Sequence, residues 1–162
     1  MIFSDIDGVL RDLCGAAGIN PTTYKCTVGK DNLSFNDFFN ENLLLLKHAN
    51  VTEYFEVIHF FHNYISPVIL LSAQPKLWEE STRCWIKRHF KDNFSVIFDS
   101  DKLRHLKERD ILIEDSPLLS DYSQVFLIDR PYNRDLKLPH ERIINPKQLF
   151  TELLWRERNV LL

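Results

Sequence analysis

Four short apolar runs, "PVILLS" (67–72), "FSVIF" (94–98), "DILIE" (110–114) and "QVFLID" (124–129), follow one another along the second half of the chain. Each is rich in β-branched or aromatic residues and flanked by polar or turn residues, the pattern of a buried strand. Between the first two lies "KLWEESTRCWIKRHF", where Trp78 and Trp85 recur at helical spacing and Pro75 is placed to begin a helix. A final helix is predicted after Pro146, through "KQLFTELLWRER". Met1-Ile2-Phe3 reads as one further strand at the start. Alternation of this kind predicts an α/β, Rossmann-like fold: a mostly parallel sheet with helices on both faces, whose ligands bind beyond the carboxyl ends of the strands.

Residues 13–66 differ in character. A polar first half holds Gly15, Gly18 and Gly29, and two helical patterns follow: "SFNDFFNENLLLLKH", opened by Ser34 as N-cap, and "TEYFEVIHFFHNYI", opened by Thr52. An insertion between the first strand and the second emerges at the ligand-binding end of the sheet. The expected organisation is therefore an α/β core over 1–12 and 67–162, with a small, mainly helical cap over 13–66.

At 162 residues, 44% hydrophobic and 27% charged, the chain can bury one substantial core plus a small insertion. The formal net charge of -3, without a long basic run, argues against extended nucleic acid as a partner. With no basic n-region before an apolar segment and no long apolar stretch, neither export nor membrane insertion is expected, and a cytoplasmic setting is. Cys14, Cys26 and Cys84 lack the spacing of redox or zinc sites and read as reduced thiols.

Chemistry concentrates where the strands end. Asp5 and Asp7 follow the first strand, Ser72 the second, Lys102 the third, and Glu114 with Asp115 the fourth. Two carboxylates at the end of an apolar strand are costly to desolvate unless a cation or a proton compensates them. Carboxylates from separate strands supply the hard oxygen ligands that Mg²⁺ takes, and a hydroxyl and an ammonium facing the same point suit a phosphoryl group.

These residues carry a resemblance. "DIDGV", "ILLS", Lys102 and "ILIEDS", in this order, look like the four motifs of the haloacid dehalogenase superfamily of phosphotransferases. "SAQPK" before a Trp-containing helix, and "FLIDRPYNRD" after the fourth motif, are similar to the 5'(3')-deoxyribonucleotidase family. The resemblance covers residues 1–12 and 67–155 and fades in the cap. It implies a Mg²⁺-dependent phosphomonoesterase acting on nucleoside monophosphates, with Asp5 as nucleophile and Asp7 as general acid and base. It also implies metal binding through the Asp5 carboxylate, the Asp7 main-chain carbonyl and Asp115, with Glu114 supporting them. Ser72 with the amides of Ala73 and Gln74 would cradle the phosphoryl group, although "SAQ" stands where the family more often has Thr-Ser-Pro, so Ala73 brings no side-chain donor. Lys102 is the expected phosphate lysine and Lys107 its rival.

Two other functions stay open at this level: a phosphatase of another small phosphoester or of a nucleic-acid end, and a catalytically silent nucleotide-binding or regulatory module. His59 and His62, set among Phe55, Phe60 and Phe61, read as packing and surface residues rather than metal ligands. Phe35, Phe38 and Phe39 read as cap core, with Phe38 and Phe39 as candidates to stack on a base. Pro131 is expected to fix Tyr132, Asn133 and Arg134 in a turn, with the border of the substrate entrance as their alternative place.

Overall fold

The computed structural model describes residues 1–24, 26–91, 94–138 and 141–160. All five apolar runs form strands: β1 (Ile2–Ser4), β4 (Val68–Ser72), β5 (Val96–Phe98), β6 (Ile111–Glu114) and β7 (Val125–Leu127). They make one all-parallel sheet in the order β5-β4-β1-β6-β7. β1 lies at its centre, with Ile2 level with Val68 on one side and Ile111 on the other. That register brings the residues just after β1 between the ends of β4 and β6.

Strand side chains alternate between faces, so neighbours in sequence enter different cores. Ile2, Leu70, Ile111 and Ile113 share one apolar cluster, while Phe3, Leu71 and Leu112 share another. The first cluster is closed by Phe55, Ile58 and Phe61 of α4 (Phe55–Tyr64), Trp85, Ile86 and Phe90 of α5 (Glu79–Phe90), and Leu149 and Leu153 of α6 (Pro146–Val160). The second is closed by Leu106 and Leu119, which lie beside short 3-10 turns at Lys102–His105 and Pro117–Leu119. Among the described residues, α-helices close the first cluster and only short 3-10 turns the second, where the sequence predicted helices on both faces. The reason is length: residues 99–110 and 115–124 must return the chain along a whole strand, which leaves room for a single tight turn. Among the described residues no helix is long and apolar enough to cross a membrane.

Between β1 and β4 the chain forms α1 (Leu13–Ala16), an antiparallel pair β2 (Thr27–Val28) and β3 (Leu33–Ser34), then α2 (Phe35–Glu41), α3 (Leu43–His48) and α4. Ser34 caps α2, its hydroxyl accepting from the Asp37 amide. The single helix expected from "SFNDFFNENLLLLKH" is broken at Asn42, whose side-chain amide donates to the Phe38 carbonyl at 2.7 Å and so competes with the helix ladder. The β2–β3 pair has no counterpart among the sequence expectations, because two-residue strands are too short to display alternation. A small cluster of Leu13, Phe39, Leu46, Ala49 and Trp78 holds this region together. Helix α4, the second helical pattern of the insertion, belongs instead to the main cluster beneath the sheet, where Phe61 is fully buried and meets Phe150 of α6 edge-on. Its helix begins at Phe55, while Thr52 uses its hydroxyl to bond the Val9 carbonyl.

Phe61→Ala should accordingly lower the global unfolding free energy by about 3–5 kcal/mol, the usual cost of emptying an aromatic core site. Urea denaturation followed by tryptophan fluorescence measures it, and a loss below about 1 kcal/mol would place α4 outside the cooperative core.

Candidate active site at the strand ends

Chain direction changes sharply after β1. The amides of Leu10 and Arg11 both donate to the Ile6 carbonyl at 2.8 Å, and Gly8 takes a φ of +78. No side chain fits there: a Cβ on Gly8 would stand 1.9 Å from Asp115 Oδ2 and 3.0 Å from the Tyr132 hydroxyl. The turn leaves Asp5 buried and Asp7 half-buried at the mouth of the sheet. Asp5 Oδ1 accepts from the Ile6 amide at 2.7 Å, while Oδ2 lies 2.8 Å from Lys102 Nζ. Asp7 Oδ1 accepts from Arg11 Nε at 2.6 Å, with Arg11 Nη2 also 2.6 Å away.

Lys102 arrives on the 3-10 turn after β5. Asp99 ties that turn down by accepting from the Asp101 amide at 3.0 Å and pairing with His105 at 2.7 Å. From it the Lys102 ammonium reaches Asp5 and, at 2.6 Å, Glu114 Oε2. Glu114 spends its other oxygen on the amides of Asp115 and Ser116, each at 3.0 Å, so both its oxygens are engaged within the protein. Lys107, the rival lysine, is exposed and does not line the site; its amide bonds Asp110.

Three buried carboxylates and one buried ammonium leave an excess of negative charge, and the proton affinities reflect it. Burial opposes the charge on Lys102, but Asp5 and Glu114 outweigh it and hold the ammonium above its usual range. Glu114 is buried too, yet Lys102 and the bonded amide of Ser116 keep it below the ordinary value. Asp5 is raised well above its usual value by burial and then by Glu114, with Lys102 opposing. Asp115 is pushed up to about 8 by burial and by Glu114, against the hydrogen bond it accepts from Tyr132. Lys102 and Glu114 thus form the ion pair, and Asp5 and Asp115 are left undercompensated.

Ligand oxygens of Asp5, Glu114 and Asp115 lie within 4.8 Å of one another, an all-oxygen donor set suited to a hard divalent cation. Glu114 is fully engaged within the protein, Asp5 shares Oδ2 with Lys102, and Asp115 Oδ2 meets the Tyr132 hydroxyl. Tyr132 Oη donates to Asp115 Oδ2, and burial followed by the Asp115 charge raises the Tyr132 hydroxyl well above its ordinary range. Pro131–Asn133 is a 3-10 turn, as expected of Pro131, and fully buried Asn133 anchors it by donating to the carbonyls of Asp115 and Ile128, each at 2.9 Å. Arg130 Nε adds a bond to the Gly8 carbonyl at 2.8 Å. Sequence reasoning missed these roles of Arg11, Tyr132 and Arg130. Only "DRPYNRD" hinted at the last two.

Ser72 is buried at the end of β4, and Ala73 and Gln74 continue along the cavity rim ahead of the 3-10 turn Lys76–Trp78. Asp5, Asp7, Ser72, Lys102 and Asp115 all line one cavity of about 900 Å³. Insertion residues Leu13, Ile19, Tyr24 and Phe35, together with Trp78, give it apolar and aromatic walls. Phe38 and Phe39 are not part of that lining. Phe39 is fully buried, packed edge-on between Phe35, Phe38 and Trp78, and Phe35 is the phenylalanine that lines the cavity. Two nitrogens of cavity residues, Gln74 Nε2 and Arg130 Nη2, are buried without an acceptor among the described residues, a cost of about 1–3 kcal/mol each unless a ligand supplies one. His59 stacks on Phe55 and His62 on Phe94, away from the carboxylates.

Compared with known proteins, the chain matches no family model and no curated protein.

Because Asp115 binds its proton more tightly folded than unfolded, its contribution to stability is present at low pH and is lost as pH rises from about 4 towards about 8. In EDTA the melting temperature should fall over that interval, and Asp115→Asn, which removes the charge, should flatten the fall and melt above wild type at the alkaline end. A variant that melts lower than wild type there would refute the undercompensated carboxyl.

Proposed function

We propose that the chain is a Mg²⁺-dependent phosphomonoesterase of the haloacid dehalogenase type, acting on nucleoside monophosphates and belonging with the 5'(3')-deoxyribonucleotidases. The observation that carries this reading is the meeting, on the floor of one cavity, of Asp5, Asp7, Ser72, Lys102 and Asp115 from four strand ends. A cavity of about 900 Å³ accommodates a nucleotide, and its aromatic walls favour a flat base over a sugar phosphate.

In this reading Asp5 attacks phosphorus and the bond from phosphorus to the ribose oxygen breaks, giving an aspartyl phosphate. Asp7 delivers a proton to the departing oxygen, then takes one from the water that displaces phosphate and regenerates the Asp5 carboxylate. Lys102 has three N–H donors, of which Asp5 and Glu114 take two, so a third is directed to a phosphoryl oxygen. Ser72 and the amides of Ala73 and Gln74 bind the remaining oxygens, and the unmatched Gln74 Nε2 stands beside them. Asp5, Asp115 and the Asp7 carbonyl would hold Mg²⁺, which when bound offsets phosphoryl charge. Tyr132 orients Asp115 for that task.

Phosphate release from a panel of 5'- and 3'-nucleotides, ribose and deoxyribose, together with sugar phosphates and end-phosphorylated oligonucleotides, tests the proposal. Release should require Mg²⁺, stop in EDTA, and fall by at least ~10³-fold in Asp5→Asn. Normal turnover by Asp5→Asn would exclude the covalent route. Preference for oligonucleotide ends would replace the substrate class, and tight nucleotide binding without release would favour a binding module.

A further inference from the structure

Arg11 is fully buried, and its guanidinium joins three separate parts of the chain. Nε and Nη2 both lie 2.6 Å from Asp7 Oδ1, Nη2 donates to Gln74 Oε1 at 3.3 Å, and Nη1 donates to the Leu46 carbonyl at 3.1 Å. Its Cζ lies 5.7 Å from the centre of the Trp85 ring. Each partner is fixed in turn. Guanidinium groups only donate, so Gln74 must present its oxygen, and the Thr82 hydroxyl secures the same atom at 2.8 Å. Leu46 lies in the last turn of α3, where carbonyls lack helical partners, and Arg11 satisfies one of them.

Asp7 has two side-chain torsions and a half-exposed position, so the backbone alone does not aim its carboxyl. Arg11 grips a single oxygen, Oδ1, and leaves Oδ2 without a hydrogen-bond partner among the described residues. That division leaves Oδ2 as the oxygen through which Asp7 meets the cavity it lines.

We propose that Arg11 is the positioning residue for proton transfer by Asp7: it turns Oδ2 towards the leaving-group oxygen and makes that aim depend on the seating of α3 over the sheet. The proposal rests on the phosphatase reading above. In the first step the proton passes from Asp7 Oδ2 to the ester oxygen as its bond to phosphorus breaks; in the second, water returns a proton to Oδ2. Arg11 itself exchanges none.

The experiment compares a nucleoside 5'-monophosphate, whose alkoxide leaving group needs the proton, with p-nitrophenyl phosphate, whose phenolate does not. Arg11→Ala should lower kcat on the nucleotide by ~10²-fold with KM within ~3-fold, while first-turnover release of nitrophenolate falls less than ~3-fold. Millimolar guanidinium should restore part of the lost kcat. Equal losses on both esters, or no restoration, would overturn the proposal by reducing Arg11 to a packing role. If Arg11→Ala does not fold, Arg11→Lys, which keeps the charge but loosens the grip on Oδ1, should show the same selective loss on the nucleotide, and a loss without that selectivity overturns it equally. Wild type and Asp5→Asn run alongside. A wild type that hydrolyses neither ester removes the phosphatase reading and this proposal together, whereas with an active wild type and a silent Asp5→Asn the Arg11 variants alone decide.

Discussion

The Lys102 ammonium, held between Asp5 and Glu114 below the rim of the sheet, is the contact on which the rest of this end of the molecule depends. Each of the three groups is buried, and each taken alone would cost several kcal/mol to remove from water. They are tolerable only together. Asp5 follows the central strand, Glu114 ends its neighbour, and Lys102 comes from the 3-10 turn that follows β5. A register slip of one residue between β1 and β6 would send one carboxylate to the opposite face and leave the ammonium half-paired. The parallel register and the ion trio therefore specify each other. Because Glu114 is consumed by Lys102 and two amides, the trio also determines what remains: Asp5 and Asp115, short of positive charge, at the bottom of an open cavity.

The central frame was legible in the sequence because its strands are buried on both faces and so read as unbroken apolar runs. The charged residues that end those runs are conspicuous for the same reason, and Asp5, Asp7, Ser72, Lys102 and Asp115 do come together. What depended on packing was not legible. Phe35, Phe38 and Phe39 share one helix face, and only the arrangement of Trp78, Leu13 and Leu46 around them decides that Phe39 is sealed inside and Phe35 lines the cavity. Composition likewise could not tell that α4 would leave the insertion for the main core, since an amphipathic helix fits either surface. No local pattern sets Arg11 apart from the other Lys and Arg residues, twenty in all. Its partners at Leu46 and Gln74 lie 35 and 63 positions away, beyond the reach of any local pattern.

Stability and chemistry are unevenly distributed over the fold. The far side of the sheet from the helices is closed by two turns and a few leucines, while the helical side carries the tryptophan and phenylalanine mass of the core. Several unfavourable features gather at the strand ends: two carboxyls pushed towards their neutral form, the unmatched nitrogens of Gln74 and Arg130, and a glycine at positive φ against Asp115. Local costs of this kind persist only where the surrounding structure enforces them. Here the enforcement is visible in the bonds from Arg130 to Gly8, from Asn133 to Asp115, and from Arg11 to Asp7, which converge on the turn after β1 and the end of β6. A ligand that brought a cation to the carboxylates and oxygen acceptors to the unmatched donors would relieve each of these costs at once. The local costs at the strand ends are thus held in place by bonds from three separate parts of the chain, at the expense of stability.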